Sequence, residues 1–126
     1  MTDIQDALHR AGIALFQDGD VTGALEKLAA ALALAETRAD IAADLGVVQH
    51  AAGNLNEAEA YLTQACASDP GNVDYVFNLA RVLSAQGRAA EAEKAYRQAI
   101  ALDPSHPPAH NNLGNSLGAL GRNEEA

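Results

Sequence analysis

The residues of this chain that could carry covalent or metal chemistry are few and widely spaced. Cys66 is the only cysteine, and no histidine stands three or four residues away from it to activate a thiolate. We therefore expect Cys66 to pack as a small apolar side chain of a helix. His106 and His110 enclose two prolines, which oppose a shared helical face for two metal-binding imidazoles. The pattern favours a protein with no catalytic residues, no metal site and no cofactor.

Glycine spacing, charge and hydropathy argue against several other function classes. Gly114, Gly118 and Gly121 do not form the Gly-rich phosphate loop of a nucleotide-binding protein. The 126-residue chain has a net charge of −9, which disfavours binding to nucleic acids or anionic membranes. Its longest apolar run, residues 28–35, is too short to span a bilayer, and the N-terminus lacks the features of a signal peptide. We expect a cytoplasmic protein.

The composition favours helices, and the charge is unevenly distributed. Aromatic residues make up only 4% of the chain, and alanine and leucine supply most of its 48% hydrophobic content, which is typical of closely packed helices rather than strands. Residues 1–72 contain 11 acidic and 3 basic residues, whereas residues 73–126 contain 6 and 5. The N-terminal half is therefore the acidic part of the protein.

The chain repeats itself with a period of 34 residues. Three series share this interval: Gly19, Gly53, Gly87 and Gly121; Ala24, Ala58, Ala92 and Ala126; and the Asp-Pro pairs at residues 69–70 and 103–104. Each unit contains two helical patterns separated by a glycine, which predicts helices over residues 4–18, 21–35, 39–52, 55–68, 73–86, 89–102 and 107–120. Such a pair cannot bury both of its faces alone and must stack on the next pair. The pattern also places Leu45 and Leu79 in the core, where alanine would cost about 2–5 kcal/mol.

The residues at fixed positions of this period resemble the tetratricopeptide repeat (TPR). The matching residues are Ala11, Gly12, Leu15, Ala24, Leu28 and Ala31 in unit 5–38; Leu45, Gly46, Ala58, Leu62, Ala65 and Pro70 in unit 39–72; Leu79, Ala80, Leu83, Ala92, Tyr96, Ala99 and Pro104 in unit 73–106; and Leu113, Gly114, Leu117 and Ala126 in a partial unit 107–126. Glu36 replaces the proline of the first unit, and the aromatic residue of the first helix is absent throughout. The resemblance implies one all-α domain over residues 1–126, a right-handed superhelical solenoid of antiparallel helix pairs whose first helices line a concave groove.

The sequence ends shortly after the expected turn at Gly121. Residues 123–125, Asn-Glu-Glu, are typical of the cap and first turn of a second helix. We expect the chain to be a fragment of a longer array. The alternative is that another copy of the chain covers the apolar face of the last repeat, which would give a homo-oligomer through the C-terminal end.

Candidate binding residues occupy first-helix positions that recur every 34 residues along the expected groove. Asn78 and Asn112 share one such position, and Asn111 and Asn115 lie beside it. Because an asparagine amide can donate and accept a hydrogen bond at once, a row of them can hold a peptide backbone without reading its side chains. The row is similar to the asparagine ladder in the repeats of O-linked N-acetylglucosamine transferase, although the first two units depart from it. The alternative is that these asparagines are merely tolerated polar surface residues.

Charged and aromatic residues complete the expected groove. Asp6, Asp40 and Asp74 form one row and Asp44 lies in the next, which predicts a negative N-terminal half and a partner segment carrying Lys or Arg. The alternative is that these aspartates favour the dipole of the helices that they begin. The remaining groove candidates are Phe77, Arg81 and His50. No lysine stands at a groove position, which argues against the clamping of acidic chaperone tails known from another branch of the family.

These features predict a protein–protein interaction scaffold that binds an extended peptide or a helix in its groove and has no catalytic activity of its own. Two alternatives stay open. The repeats could form the N-terminal, substrate-recruiting arm of a larger enzyme of the glycosyl- or sulfotransferase type. They could also form a module that assembles with itself.

Overall fold

The structure is a computed structural model that describes residues 2–34, 38–106 and 112–114. Six helices lie in these ranges: α1 (Thr2–Gln17), α2 (Val21–Leu34), α3 (Ala39–Ala51), α4 (Leu55–Ser68), α5 (Val73–Ala85) and α6 (Ala89–Leu102). Their ends agree with the predicted ones to within two residues. Of the predicted helix over 107–120, only residues 112–114 are described, and they are helical. No helix of the described part is long and apolar enough to cross a membrane.

The same glycine turn joins the two helices of each pair. Gly19, Gly53 and Gly87 have φ angles of 89°, 84° and 79°, in the left-handed region that favours glycine. The amide of the following residue donates to a carbonyl five positions earlier, from Asp20 to Leu15, Asn54 to Gln49 and Arg88 to Leu83, over 2.8–3.0 Å. This bond closes the end of an α-helix in a Schellman turn, which is why glycine recurs at this point of the period.

Cα packing divides the chain into two compact units, Met1–Asp69 and Pro70–Ala126. In unit 1, α1 packs on α2, α3 packs on α4, and α2 contacts α3. Its core contains Leu28 and Leu45, which are 0% and 1% exposed. A Cβ atom on Gly46 would lie 2.7 Å from Cγ of Leu62, so this glycine allows the first helix of the pair to approach the second closely.

In unit 2, α5 packs on α6 around a buried cluster of Ala80, Leu83, Ala92, Ala95 and Tyr96. Leu79 and Leu113 pack against this cluster and are only partly buried. The prediction that Leu79 is a core residue equivalent to Leu45 is therefore wrong in degree, because its side chain remains partly exposed. The prediction of one domain over residues 1–126 stays a prediction.

Candidate functional site

Arg38, the residue just before α3, links the starts of α1 and α3 in unit 1. Its Nε and Nη2 atoms donate to the two carboxylate oxygens of Asp40 at 2.9 and 2.8 Å. Its Nη1 atom donates to Asp6 Oδ1 at 3.1 Å and to Gln5 Oε1 at 3.0 Å. Gln5 is buried, and its Nε2 atom donates to the carbonyl of Ala31 at 3.1 Å. One guanidinium therefore connects the two first helices of unit 1.

His9 lies beside the same carboxylates. Its Nε2 atom is 2.6 Å from Asp44 Oδ2, and its Nδ1 atom is 3.9 Å from Asp40 Oδ2. We call Asp6, His9, Arg38, Asp40 and Asp44 the acidic cluster, because it combines three carboxylates with one guanidinium and one imidazole. The three aspartate side chains remain 39–47% exposed, so a ligand can reach them. The hydrogen bond from Arg38 holds the pKa of Asp40 below its usual range.

Replacing Arg38 with glutamine is expected to lower the thermal midpoint by a few degrees at neutral pH, since the carboxylates of α1 and α3 lose their shared partner. Because the pKa of Asp40 is lowered in the folded state, this contribution is present above about pH 5 and is lost as the pH falls below about 4. Thermal unfolding followed by circular dichroism at several pH values measures both effects. Arg97→Gln is the control, because Arg97 is 59% exposed and, among the described residues, its side chain bonds only Glu93 one turn away. Equal midpoints for the two variants at neutral pH would contradict a bridging role for Arg38.

A second group of predicted residues converges in unit 2. The ring of Phe77, on α5, lies with its centroid 4.9 Å from that of His106 and 6.0 Å from that of Tyr96. The guanidinium carbon of Arg81 lies 5.9 Å from the centroid of the Phe77 ring, within cation–π range. Phe77 is only partly buried and Arg81 is exposed. We call Phe77, Asn78, Arg81, His106 and Asn112 the Phe77 patch.

The two asparagines of this patch differ in their surroundings. Asn112 forms a side-chain hydrogen bond with the hydroxyl of Tyr96. Tyr96 is 2% exposed, and this burial raises its pKa, an effect that Asn112 and Arg81 oppose. Asn78 is partly buried, and within residues 2–34, 38–106 and 112–114 its amide has no hydrogen-bond partner. Asn112 is thus held in position by the protein, whereas Asn78 has its donor and acceptor groups available.

The other predicted groove residues have more varied positions. Asp74, in the first turn of α5, has a 75% exposed side chain whose Oδ1 lies 3.8 Å from Nε2 of His106. His50, in the last turn of α3, is partly buried. Asn111 and Asn115 lie outside the described residues. The structure therefore brings Asp40 together with Asp44, and Phe77 with Arg81.

Two residues organise these surfaces in ways that the sequence did not predict: Arg38 was not singled out, and His106 was considered only as a metal ligand. Both occupy the last position of a 34-residue unit, which Asn72 occupies in the unit between them. Asn72 caps α5, its side chain accepting from the amides of Asp74 and Tyr75 at 3.1 and 3.4 Å. The 34-residue spacing of three polar residues just before a first helix was a signal that could have pointed to this position.

Unit 1 also contains an open cleft of about 400 Å³ between α2, α3 and α4. Its lining consists of Ala29, Leu32, Ala33, Leu45, Tyr61 and Gln64, none of which is a predicted site residue.

Within the described ranges, no three histidine, cysteine, aspartate or glutamate side chains are placed to hold a metal ion. His110 lies outside these ranges. Cys66 is partly buried, and burial raises the pKa of its thiol, which keeps it protonated near neutral pH.

Comparisons with known families agree with the repeat geometry. A family model described as "Tetratricopeptide repeat" matches residues 15–81 and 49–98, and one described as "TPR repeat" matches residues 80–121. Because these matches cover more than half of the sequence, the chain belongs to the tetratricopeptide repeat family. Members of this family generally mediate protein–protein interactions. No curated protein sequence matches the chain.

Several solved structures share the fold. A Thermobaculum terrenum O-GlcNAc transferase mutant is 28% identical, with a TM-score of 0.86. The match covers 92% of the present chain but only 22% of the transferase. A solved structure of MamA (AMB-1) is also 28% identical, with a TM-score of 0.86. The match covers 96% of the present chain and 72% of the MamA chain. The first TPR of Spaghetti (RPAP3), bound to the HSP90 peptide SRMEEVD, has a TM-score of 0.92 at 17% identity over 96% of both chains, a likeness of fold alone. The predicted fold class, an all-α TPR solenoid, is confirmed.

Proposed function

We propose that this protein is a peptide-binding scaffold in which the Phe77 patch of unit 2 holds an extended segment of a partner protein. The observation that carries the proposal is the amide of Asn78, which lies beside an exposed arginine and a partly exposed aromatic ring and has no partner among the described residues. A polar group that forms no bond within the protein can exchange its water for a ligand without breaking an intramolecular hydrogen bond, so it is suited to bonding a ligand.

The mechanism is backbone recognition. The amide of Asn78 donates to a peptide carbonyl and accepts from a peptide N–H, which fixes an extended backbone on the face of α5. Asn112 occupies the equivalent position one repeat later and is held by Tyr96, so the remainder of its amide meets the peptide with little loss of conformational freedom. Asn111 and Asn115 belong to the same proposed row.

The acidic cluster of unit 1 is proposed to favour a basic segment of a partner. Its three carboxylates exceed the positive charge of Arg38, and their side chains stay accessible. A Lys or Arg side chain of the partner would add a second cation to carboxylates that Arg38 only partly neutralises. His50 is proposed to contribute shape and charge to the surface of unit 1, and Asp74 to the surface of unit 2.

No catalysis is proposed for these repeats themselves, and the cytoplasm is their proposed location. The second candidate function is that of a substrate-recruiting arm of a larger enzyme, favoured by the 28% identity to a transferase of which the chain spans 22%. A catalytic domain in the same polypeptide would favour the hypothesis of a substrate-recruiting arm. Self-assembly remains a further proposal, and light scattering over a concentration series tests it, with a constant monomer mass counting against it.

Replacing Asn78 and Asn112 together with alanine is expected to weaken the binding of peptides selected on the wild-type protein by about tenfold or more, because both backbone-bonding amides are lost. Peptides can be selected from a displayed random dodecapeptide library and measured by fluorescence anisotropy. Tyr96→Phe is the comparison variant: it keeps both amides and removes only the hydroxyl that holds Asn112 in position, so it is expected to weaken binding less than the double substitution. Unchanged affinity in a helical Asn78→Ala, Asn112→Ala protein would rule out the proposed mechanism.

A further inference from the structure

We infer that the Phe77 patch selects a segment with an acidic residue two positions from an apolar residue, the carboxylate binding Arg81 and the apolar side chain covering Phe77. This inference rests on the peptide-binding function proposed above and specifies the chemistry of the segment. It uses an arginine and an aromatic ring of α5 that backbone recognition by the asparagines does not require.

Arg81 is the first part of the argument. Arg38, Arg88 and Arg97 each bond a carboxylate of the protein. No carboxylate of the described residues pairs with Arg81, whose exposed guanidinium lies instead over the Phe77 ring. A guanidinium positioned by an aromatic ring keeps its hydrogen-bond donors directed for a carboxylate, the partner that best fits its planar geometry.

The charges around Arg81 permit an acidic ligand. Asp74 is on the same helix, seven residues earlier, which places it about 10 Å away along the axis. Its carboxylate faces His106, 3.8 Å away. Residues 73–126 contain 6 acidic and 5 basic residues, so this unit lacks the strong negative charge of residues 1–72. The attraction at Arg81 is therefore opposed only weakly at moderate ionic strength.

Phe77 supplies the apolar contact. Its ring is partly exposed and is supported by His106 and Tyr96 at centroid distances of 4.9 and 6.0 Å. A supported ring presents a fixed apolar surface, and covering it with an apolar side chain removes both surfaces from water. His106 is 14% exposed, so it acts mainly as the wall of this contact.

The spacing within the ligand follows from the two geometries. Phe77 and Arg81 are four residues apart on α5, which corresponds to about 6 Å along the helix. In an extended peptide, residues i and i+2 point to the same side and are about 6.5–7 Å apart. The segment that matches both positions therefore has the pattern acidic–any–apolar, or its reverse.

The test is a selection from a displayed random dodecapeptide library on wild-type protein, on Arg81→Gln and on Arg97→Gln. The wild type and the Arg97→Gln control are expected to enrich peptides with Asp or Glu two residues from an apolar residue, whereas Arg81→Gln loses the acidic preference. For one enriched peptide, made with blocked ends, changing its acidic residue to glutamine is expected to weaken binding to the wild type about tenfold and to change binding to Arg81→Gln little.

Enriched peptides without an acidic preference, or an equal loss on both proteins, would overturn this inference. If those peptides still depend on Asn78 and Asn112, the proposed function stands without it. If no peptide is enriched on the wild type, the proposed function and the inference both fail. Since Arg81 is exposed, Arg81→Gln is expected to keep the helix content of the wild type, which circular dichroism verifies.

Discussion

Replacing Leu45 with alanine is expected to lower the free energy of unfolding by about 2–5 kcal/mol, because it removes a buried side chain and leaves a cavity. Leu45 is 1% exposed and belongs to a buried cluster with Ala24, Leu28 and Val48. The cluster includes residues of the first and second helix pairs of unit 1. Loss of Leu45 therefore weakens the contact between repeats as well as the packing within one of them.

Denaturation with urea, followed by circular dichroism, measures this change. Leu34→Ala is the matched control, since Leu34 is 55% exposed at the end of α2 and the same substitution there is expected to cost less than about 0.5 kcal/mol. Leu79→Ala is expected to fall between the two, because Leu79 is partly buried. If Leu45→Ala and Leu34→Ala unfolded at the same urea concentration, the core described for unit 1 would be incorrect.

Replacing Tyr96 with alanine is expected to cost about 3–5 kcal/mol, comparable to other aromatic truncations in protein cores. Tyr96 is 2% exposed and lies among Ala80, Leu83 and Ala92, small or medium side chains that cannot fill the space of a ring. Tyr96→Phe separates the two contributions of this residue. It keeps the ring and loses only the hydroxyl bonded to Asn112, at a cost of about 0.5–1.5 kcal/mol.

The alkaline limb of the stability curve provides an independent check on Tyr96. Burial raises the pKa of its hydroxyl in the folded protein, so its contribution is complete below about pH 10 and is lost as the pH rises further. Stability measured between about pH 8 and pH 11 should fall less steeply in Tyr96→Phe than in the wild type. Parallel curves would show that the hydroxyl is not buried as described, and a small effect of Tyr96→Ala would contradict its place in the core.

The helices and turns could be predicted from the sequence because one backbone requirement repeats every 34 residues. Gly53, for example, stands where the chain needs a positive φ, and the apolar pattern on either side has no competing interpretation. The burial of Leu79 could not be predicted in this way. Its position in the repeat is the same as that of Leu45, but position determines the direction of a side chain and not how completely other residues enclose it.

The candidate site could be predicted only in part, for a related reason. Residues on the first helices, such as Asn78 and Arg81, follow from helical periodicity, so their common face was predictable. Arg38 and His106 lie outside the described helices and so outside that periodicity, and their contacts depend on how far a long or planar side chain reaches to a helix. The bond between Asn112 and Tyr96 could not be predicted either, since it joins a predicted groove residue to a core residue.

The last position of each 34-residue unit has a consequence for how such a protein can change. Arg38 crosslinks two helices, Asn72 caps one, and His106 supports an aromatic ring, although all three stand at the same point of one backbone pattern. A gene duplication that copied the middle repeat over the first would preserve every turn and core alanine while deleting the crosslink. The repeats therefore share a backbone pattern but differ in their side-chain contacts. The last position of the unit is where a duplicated copy would first have to change to regain the contacts of Arg38.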